Sequence, residues 1–285
     1  MPNRFHSLLF LTFLSVILFG CNSIGKENNL LKEYDLGNPE VFTMPEVLKE
    51  ISGIAFNKGR SDSIYAIQDE DGKLFRLGWR NQKTQHIKFG GKGDYEDLAI
   101  LKDKVIILKS NGDLYTFPFA DVRFENMDKA DEWKNILPKE EYEGLYADPV
   151  SGEIFVLCKK CSQDIAEKKV SGYILKMAGG LKKTGDFGLD VEKIKAITKK
   201  VKKDFKPSAL AKNPVTGDWF IVSGFNKVLV VADKNWQPKE VYTLSSNNFN
   251  QPEGIAFDNA GNLYISNEGD ETLDGNILEI KRLIK

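Results

Sequence analysis

The chain has 285 residues, of which 41% are hydrophobic and 28% are charged, a composition typical of a globular protein with a sizeable core. Its 41 acidic and 40 basic residues leave a formal net charge of −1, which gives no support for nucleic-acid binding. Three cysteines and two histidines are too few for a histidine-rich zinc site or for a small fold held by several disulfides.

The N-terminal segment has the parts of a bacterial lipoprotein signal. Arg4 supplies a positive charge, and the apolar run that ends at Phe19 is shorter than the about 20 residues needed to span a bilayer. Leu18-Phe19-Gly20-Cys21 resembles a lipobox, in which the thiol accepts diacylglycerol, although Phe19 departs from the small residues usual there. We predict a signal peptide over residues 1–20 and lipidation of Cys21; an ordinary signal peptide is the alternative.

The segment after Cys21 predicts an anchored domain outside the cytoplasm. Residues 21–33 are mostly polar and lack a strand pattern, so we interpret them as the lipidated cysteine and a flexible tether to a domain over residues 34–285. The lipid makes the membrane the first expected partner, with no spanning helix needed. Asn22 does not resemble the aspartate signal for inner-membrane retention, which favours the outer membrane.

The body of the chain contains an internal repeat. Five segments share a polar residue, a small or polar residue and an apolar strand, and each is followed by a turn and a second apolar strand. The intervals between the first polar residues are 44, 47, 65 and 45 residues, counted along Ser52, Glu96, Glu143, Ser208 and Glu253. A unit of about 45 residues with three or four strands is the size of a propeller blade.

These intervals predict an all-β fold, a five-bladed β-propeller. The 33 residues from Glu253 to the end are too few for a blade, so we expect a strand from residues 34–46 to complete the ring. The 65-residue interval predicts a short helical insertion near residues 190–205, where apolar residues recur at near-helical spacing at Val191, Ile194, Ile197, Val201 and Phe205. A degenerate sixth blade in that interval is the alternative.

Several stretches of the repeat point to a family. Phe205-Lys206-Pro207-Ser208-Ala209-Leu210-Ala211, the turn that follows it at Asn213-Pro214, and Gln251-Pro252-Glu253-Gly254-Ile255-Ala256-Phe257 resemble the SdiA-regulated family of bacterial extracytoplasmic propellers. The resemblance covers the chain from about residue 45 to its end. It implies a five-bladed propeller and a frequent lipoprotein context, but it leaves the mechanism open. NHL and gluconolactonase-like propellers carry similar strands.

The repeat also predicts where a site lies. The polar residues Ser52, Glu96, Glu143, Ser208 and Glu253 begin the inner strands, so they are expected at one mouth of the central channel. The second strands return antiparallel and end at the same face, which adds Asp69, Lys109, Lys159 and Glu268, while Asp97 lies beside the ring.

Carboxylates and hydroxyls around one axis suit a hard cation, and calcium or magnesium is therefore the metal hypothesis. Carboxylates this close repel one another unless a cation, a neighbouring lysine or a bound proton relieves the repulsion. The competing interpretation is structural, with the ring glutamates accepting hydrogen bonds from backbone amides of the adjacent blade.

Other candidate motifs give weaker signals. Cys158 and Cys161 form a Cys-x-x-Cys pair without a second pair, so a local disulfide is the expected outcome outside the cytoplasm. His86 is the one histidine left after the signal peptide, and no nucleophile motif accompanies it. Asp69-Glu70-Asp71-Gly72 lacks the spaced ligands of an EF-hand and is interpreted as a turn.

Two functional hypotheses follow. The first is a membrane-anchored binding or scaffold module that recognises a small ligand, a glycan or an envelope protein at the channel mouth, without assigned catalytic residues. The second is a metal-dependent hydrolase of the lactonase or phosphoesterase type, with a cation held by Glu96, Glu143 and Glu253 and with Asp69 or Glu268 as the base. We favour the first, because the sequence offers the second no convincing general base.

Overall fold

The computed structural model describes Met1 and residues 30–78, 84–122 and 130–283. Residues 2–20 of the predicted signal peptide, Cys21 and most of the predicted tether lie outside these ranges. Within them the chain is mostly β-structure, and its strands are numbered here in chain order. The first two, β1 (Leu30–Leu31) and β2 (Tyr34–Asp35), pair with each other antiparallel.

Five four-stranded antiparallel sheets, one for each predicted repeat, form the blades. Blade 1 contains β4 (Ile51–Phe56), β5 (Ser63–Gln68), β6 (Asp71–Gly78) and β7 (Thr84–Lys92). Blade 2 contains β8 (Tyr95–Leu101), β9 (Lys104–Lys109), β10 (Leu114–Pro118) and β11 (Asp131–Trp133). Blade 3 contains β12 (Glu141–Ala147), β13 (Glu153–Lys160), β14 (Lys169–Met177) and β15 (Leu181–Asp190). The five-bladed all-β prediction is confirmed.

The last two blades close the ring between the two ends of the chain. Blade 4 contains β16 (Ala209–Lys212), β17 (Trp219–Ser223), β18 (Val228–Ala232) and β19 (Pro238–Thr243). Blade 5 takes β20 (Pro252–Phe257), β21 (Leu263–Asn267) and β22 (Asn276–Ile280) from the C-terminal end and β3 (Glu40–Thr43) from the N-terminal end. Thr43 lies opposite Asn276, and Glu40 lies opposite Glu279. The outer strand thus comes from the segment predicted to supply it.

Five clusters of buried apolar side chains fill the spaces between neighbouring blades. The cluster between blades 5 and 1 joins Ile54 and Ile64 to Tyr264 and Ile277, so the ring is packed shut where the chain closes. The first strands of neighbouring blades contact one another around the whole ring. They are therefore the innermost strands, and their ends surround the two openings of the central channel.

The long third interval contains insertions and no sixth blade among the described residues. Helix α1 (Asp164–Glu167) lies between β13 and β14, and helix α2 (Val191–Ile197) follows β15. The side chain of Asp190 caps α2 by accepting the backbone N–H of Lys193 at 3.1 Å. The helix is shorter than the predicted 190–205, because Thr198 adopts an extended backbone conformation and the residues after it form no helix. Val201 and Phe205 are nevertheless buried in the cluster between blades 3 and 4.

Candidate functional site

A β-bulge positions most of the predicted ring residues. Tyr95 lies opposite Lys109 and Asp97 lies opposite Leu108, so Glu96 is an extra residue between two paired positions. Glu143 occupies the same place in β12, Glu253 in β20, and a register shift also spans Ser52 in β4. A bulged residue leaves the regular ladder, which re-aims its side chain. The repeat therefore turns one residue per blade towards the channel, with Ser208 immediately before β16 completing the ring.

Glycine after the bulge lets the inner strands approach one another closely. A Cβ atom on Gly53 would lie 2.6 Å from the Asp97 Cα, and one on Gly254 would lie 2.6 Å from the Ser52 carbonyl oxygen. Gly144 is similarly crowded, since its Cβ would lie 3.3 Å from the Ala209 Cα. Any side chain at these positions would force the ring apart. The glycines at these three positions therefore permit the close approach of the inner strands, whereas the equivalent positions of blades 2 and 4 are Asp97 and Ala209.

Three glutamates at this end of the channel influence one another electrostatically. Burial and the charge of Glu143 together raise the pKa of Glu253 to about 8, and burial is the larger cause. Burial raises the pKa of Glu96 to about 10, with contributions from Glu143 and Asp94. The charge of Glu143 acts on both side chains, and burial is the main reason that they hold protons at neutral pH. We call Glu96, Glu143, Glu253 and Lys159 the acidic mouth.

Lys159 supplies an ammonium group to the acidic mouth, and Lys227 also acts electrostatically on Glu253. It lies at the end of β13 and donates a hydrogen bond to Oε1 of Glu143, which is only 4% exposed. Burial lowers the pKa of Lys159, but the charges of Glu143, Glu253 and Glu96 reverse that effect and raise it. Burial raises the pKa of Glu143 to about 7 despite the opposing charge of Lys159. A neighbouring lysine and bound protons together relieve the repulsion between the carboxylates.

A second acidic pair lies beside the mouth. Burial raises the pKa of Asp69 to about 6, with help from Glu50 and Glu70. Burial raises the pKa of Glu268 to about 6, with Asp69 as the next cause. Oδ1 of Asp69 is buried without a hydrogen-bond partner in the described part of the chain, whereas Glu268 accepts a hydrogen bond from Gln251. The face therefore carries more carboxylates than the acidic mouth alone.

Asp97 accepts hydrogen bonds from backbone amides, one of them in the adjacent blade. This is the structural role that the sequence analysis considered for the ring glutamates. The Asp97 side chain is 3% exposed and accepts the backbone N–H of Leu98 at 2.8 Å and that of Leu145 at 2.7 Å. Leu145 belongs to β12, so the second bond ties blade 2 to blade 3. Burial raises the pKa of Asp97 well above its ordinary value. Its carboxylate is occupied within the ring.

The remaining predicted residues of the face have protein partners. Ser208 is buried, hydrogen-bonds with Glu253 and accepts the Gly224 N–H at 3.2 Å. The carbonyl oxygen of Ser52 accepts the hydroxyl of Ser266 at 2.7 Å, which links blade 1 to blade 5. Lys109 is turned aside, with its ammonium 5.4 Å from the centre of the Tyr95 ring. Of the predicted set, the three glutamates and Lys159 are therefore brought together, with Ser208 hydrogen-bonded to Glu253 and with Glu268 within electrostatic reach of Glu253.

The glutamates do not form a cage for a divalent cation. Calcium takes 6–8 oxygens at about 2.3–2.6 Å, so its ligand atoms lie within about 5 Å of one another. In the described ranges only Cys158, Cys161 and Asp164 bring three metal-type ligand atoms within 4.8 Å, and the two thiols are joined in a disulfide. The ammonium of Lys159 lies against Glu143 instead. The calcium or magnesium hypothesis thus lacks a ready donor set in this conformation.

The structure also places the three other motifs that the sequence analysis considered. Cys158 and Cys161 form the expected local disulfide at the end of β13. His86 lies on β7, the outer strand of blade 1, beside the Phe75 ring. Asp69 and Glu70 form the turn between β5 and β6, in agreement with the interpretation of that motif.

Sequence reasoning missed two acidic residues of the same face. Glu50 precedes Ser52 by two positions and Asp94 precedes Glu96 by two, and both raise pKa values at the mouth. Asp94 also accepts a hydrogen bond from the hydroxyl of Ser110. The repeat contained their signal, because the same offset holds Glu141 in the next blade.

Comparison with known families agrees with this geometry. The family model described as SdiA-regulated matches residues 27–271. This chain belongs to the SdiA-regulated family. The resemblance noted in its sequence is therefore confirmed over most of its length. No curated protein matches the chain at a significant level.

Solved structures with related folds have low sequence identity to this SdiA-regulated propeller. Glutaminyl cyclase from Myxococcus xanthus has a TM-score of 0.60 and 12% identity over 86% of this chain and 95% of its own. A luciferin-regenerating enzyme has a TM-score of 0.53 and 11% identity over the same shares. Regucalcin from Agrobacterium tumefaciens, described as a calcium-binding protein, has a TM-score of 0.52 and 12% identity over 84% of this chain and 92% of its own. These likenesses establish the propeller fold alone.

Within the described ranges, no helix is long and apolar enough to cross a membrane.

Proposed function

We propose that this chain is a membrane-anchored propeller that binds a partner at the acidic mouth, and that the group it recognises is a cation. One observation carries the proposal: the charge of Glu143 acts on Glu96 and Glu253, and all three glutamates act on Lys159, whose ammonium is hydrogen-bonded to Glu143. Asp69 and Glu268 add further negative charge at the same face. The site has an excess of carboxylates, and a cationic group on a partner would compensate it.

A protonated amine or guanidinium fits this arrangement better than a divalent ion. Such a group needs a few oxygen acceptors and no fixed cage of ligands, and each N–H can bond a carboxylate separately. Amino groups occur in small metabolites, in amino sugars and in lysine or arginine side chains of proteins. The small-ligand, glycan and envelope-protein hypotheses therefore share one recognition chemistry.

Cation binding at the acidic mouth is expected to release protons. Glu143 and Glu253 have pKa values of about 7 and about 8, so part of each population is protonated at neutral pH. A bound ammonium favours the charged carboxylates and expels those protons. We expect putrescine to bind about tenfold more tightly at pH 8 than at pH 6. Titration calorimetry of the full-length chain in buffers of different ionisation enthalpy measures both the affinity and the protons released.

Paired variants make this experiment specific to the mouth. Glu143→Gln with Glu253→Gln is expected to abolish putrescine binding, because both acceptors lose their charge. Glu46→Gln with Glu271→Gln removes the same charge from exposed positions and should leave binding intact. Failure of putrescine to bind the wild-type chain at either pH would refute the amine proposal. Stoichiometric calcium binding that only the first pair abolishes would favour the metal site instead.

The metal-dependent hydrolase remains the second candidate because of one observation. Asp69 and Glu268 have pKa values of about 6, and a general base works best when its pKa is near the working pH. That mechanism also needs the three mouth glutamates to rearrange around an ion. Calorimetric titration of calcium into the wild type and into the Glu143→Gln, Glu253→Gln variant tests this requirement.

We also propose that the domain is held at the outer membrane by lipid on Cys21, with the acidic mouth turned away from the bilayer. The hydroxyl of Tyr34 donates to the Gly261 carbonyl oxygen at 2.7 Å and accepts from Asn213 at 2.9 Å. Both partners lie in turns between the first and second strands of their blades. The N-terminal strands are thus packed at the end of the propeller opposite to the mouth, which supports the orientation.

Loss of the lipidated thiol should release the protein from the membrane. We expect Cys21→Ser to move the chain from the membrane fraction to the soluble fraction of the envelope, because the lipid on Cys21 is the proposed membrane anchor. Mass spectrometry of the N-terminal peptide measures the lipid directly. Ser23→Ala, a nearby change that keeps the thiol, should stay at the membrane. An unmodified Cys21 in the membrane-bound wild type would contradict the anchor.

A further inference from the structure

The channel ends in an apolar cavity at the face opposite to the acidic mouth. Its volume is about 410 Å³, within the range of about 300–1,000 Å³ typical of small-molecule sites. The last residues of the inner strands and the turns after them form its wall. We call it the turn-end cavity.

A sequence feature of the repeat accounts for this space. The third residue after each ring position is alanine in four blades and Tyr146 in the fifth, and all five line the cavity; the alanines are Ala55, Ala99, Ala211 and Ala256. The residue before each of these positions is isoleucine or leucine and belongs to the clusters between blades; these residues are Ile54, Leu98, Leu145, Leu210 and Ile255. Small side chains at a single level therefore leave an apolar chamber on the axis.

The rim of the turn-end cavity carries uncompensated positive charge. Lys58 and Lys102 line it, are exposed, and have no ion pair within the described ranges. Lys212 also lines it but forms an ion pair with Asp148 at 2.8 Å. The one lining carboxylate, Asp258, is 5% exposed and accepts hydrogen bonds from Ala260 and Asn262 within its own turn. A ligand here would meet an apolar chamber and two free ammonium groups.

We infer that the turn-end cavity binds a medium-chain fatty acid, with the acyl chain in the alanine-lined chamber and the carboxylate between Lys58 and Lys102. Charge complementarity selects the anionic head group, and the apolar wall selects the hydrocarbon. The surface beside the cavity is also apolar, because Val150 and Val215 on the adjacent turns are 95% and 47% exposed. This site is separate from the acidic mouth, so it does not depend on the cation proposal.

A series of fatty acids tests the chamber. Octanoate, decanoate and laurate are titrated into the full-length chain by calorimetry, and we expect one site whose affinity rises about fourfold for each added methylene. Dodecyltrimethylammonium, which has the laurate chain length with a cationic head, should bind at least tenfold more weakly than laurate. Equal binding of the two amphiphiles, or no binding of any fatty acid, would overturn the inference.

Variants separate the head group from the chamber. Lys58→Gln with Lys102→Gln should weaken laurate binding about fivefold, because two exposed ion pairs are lost. Lys199→Gln with Lys200→Gln removes the same charge from exposed lysines that do not line the cavity and should change nothing.

Ala99→Leu narrows the chamber and should abolish laurate binding, while a cooperative urea-unfolding transition establishes that the variant is folded. If Ala99→Leu does not fold, the lysine pair still decides the question. Laurate affinity unchanged by the lysine pair would refute the site.

Discussion

Replacing Asp97 by alanine is expected to lower the free energy of unfolding by about 4 kcal/mol. The carboxylate accepts two backbone N–H groups, from Leu98 at 2.8 Å and from Leu145 at 2.7 Å, and both remain buried after the replacement. A buried donor left without a partner costs about 1–3 kcal/mol. The missing side chain also leaves space against Gly53, where the inner strands of blades 1 and 2 are in close contact.

Equilibrium unfolding in urea, at one pH, measures this loss. Asp103→Ala is the matched control, because Asp103 is exposed in the turn between β8 and β9 of the same blade, and we expect it to change stability by less than about 0.5 kcal/mol. Asp97→Asn keeps one acceptor oxygen and should fall between the two. A loss below about 1 kcal/mol for Asp97→Ala would mean that the link between blades 2 and 3 contributes little.

Glu253→Gln is expected to stabilise the protein by about 3 kcal/mol at pH 8.5 and to have little effect at pH 4. Burial raises the pKa of Glu253 to about 8 from 4.5. The folded protein therefore holds a proton that the unfolded chain releases. The stability tied to this proton is fully present below about pH 4.5 and is lost as the pH rises towards 8. Glutamine imitates the protonated side chain at every pH, so the variant avoids the loss.

Urea unfolding of wild type and variant between pH 4 and pH 9 measures the difference as a function of pH. Glu46→Gln, at an exposed position before β4, should give a flat difference near zero. A Glu253→Gln effect that is independent of pH would indicate altered packing and not proton binding. A destabilised variant at pH 8.5 would mean that the charged Glu253 is compensated by Lys159 in the folded protein, which would weaken the proposed role of the mouth.

The ionisation of the acidic mouth therefore affects both the stability of the folded protein and its affinity for a cation. Carboxylates that repel one another destabilise the folded state at high pH, and a bound cation would remove that repulsion. Putrescine is expected to stabilise the wild type most at the pH values where Glu253→Gln is most stabilising. Thermal unfolding with and without the amine would reveal this parallel.

Part of the site could be predicted from single residues and part could not. The repeat located the ring at Glu96, Glu143 and Glu253, because equivalent positions in a closed ring converge on the axis. The glycine after Glu143 and Glu253 is also a recognised signal of a bulge inside a strand. The division of roles between Glu96 and its neighbour Asp97 was not predictable, since both are acidic and adjacent. The bulge turns one towards the channel and the other towards the Leu145 amide.

The sequence by itself determined the number of blades and the closure of the ring, because repeat length and strand alternation are local properties that each blade expresses separately. Three features were decided only by the tertiary structure. The turn-end cavity is formed by residues from all five blades, and α2, which ends at Ile197, packs against strands of blades 3 and 4. Lys159 and Glu143 form their ion pair across two paired strands of blade 3. Such contacts form only in the folded chain, and their free energies outweigh the local preferences that a sequence pattern records.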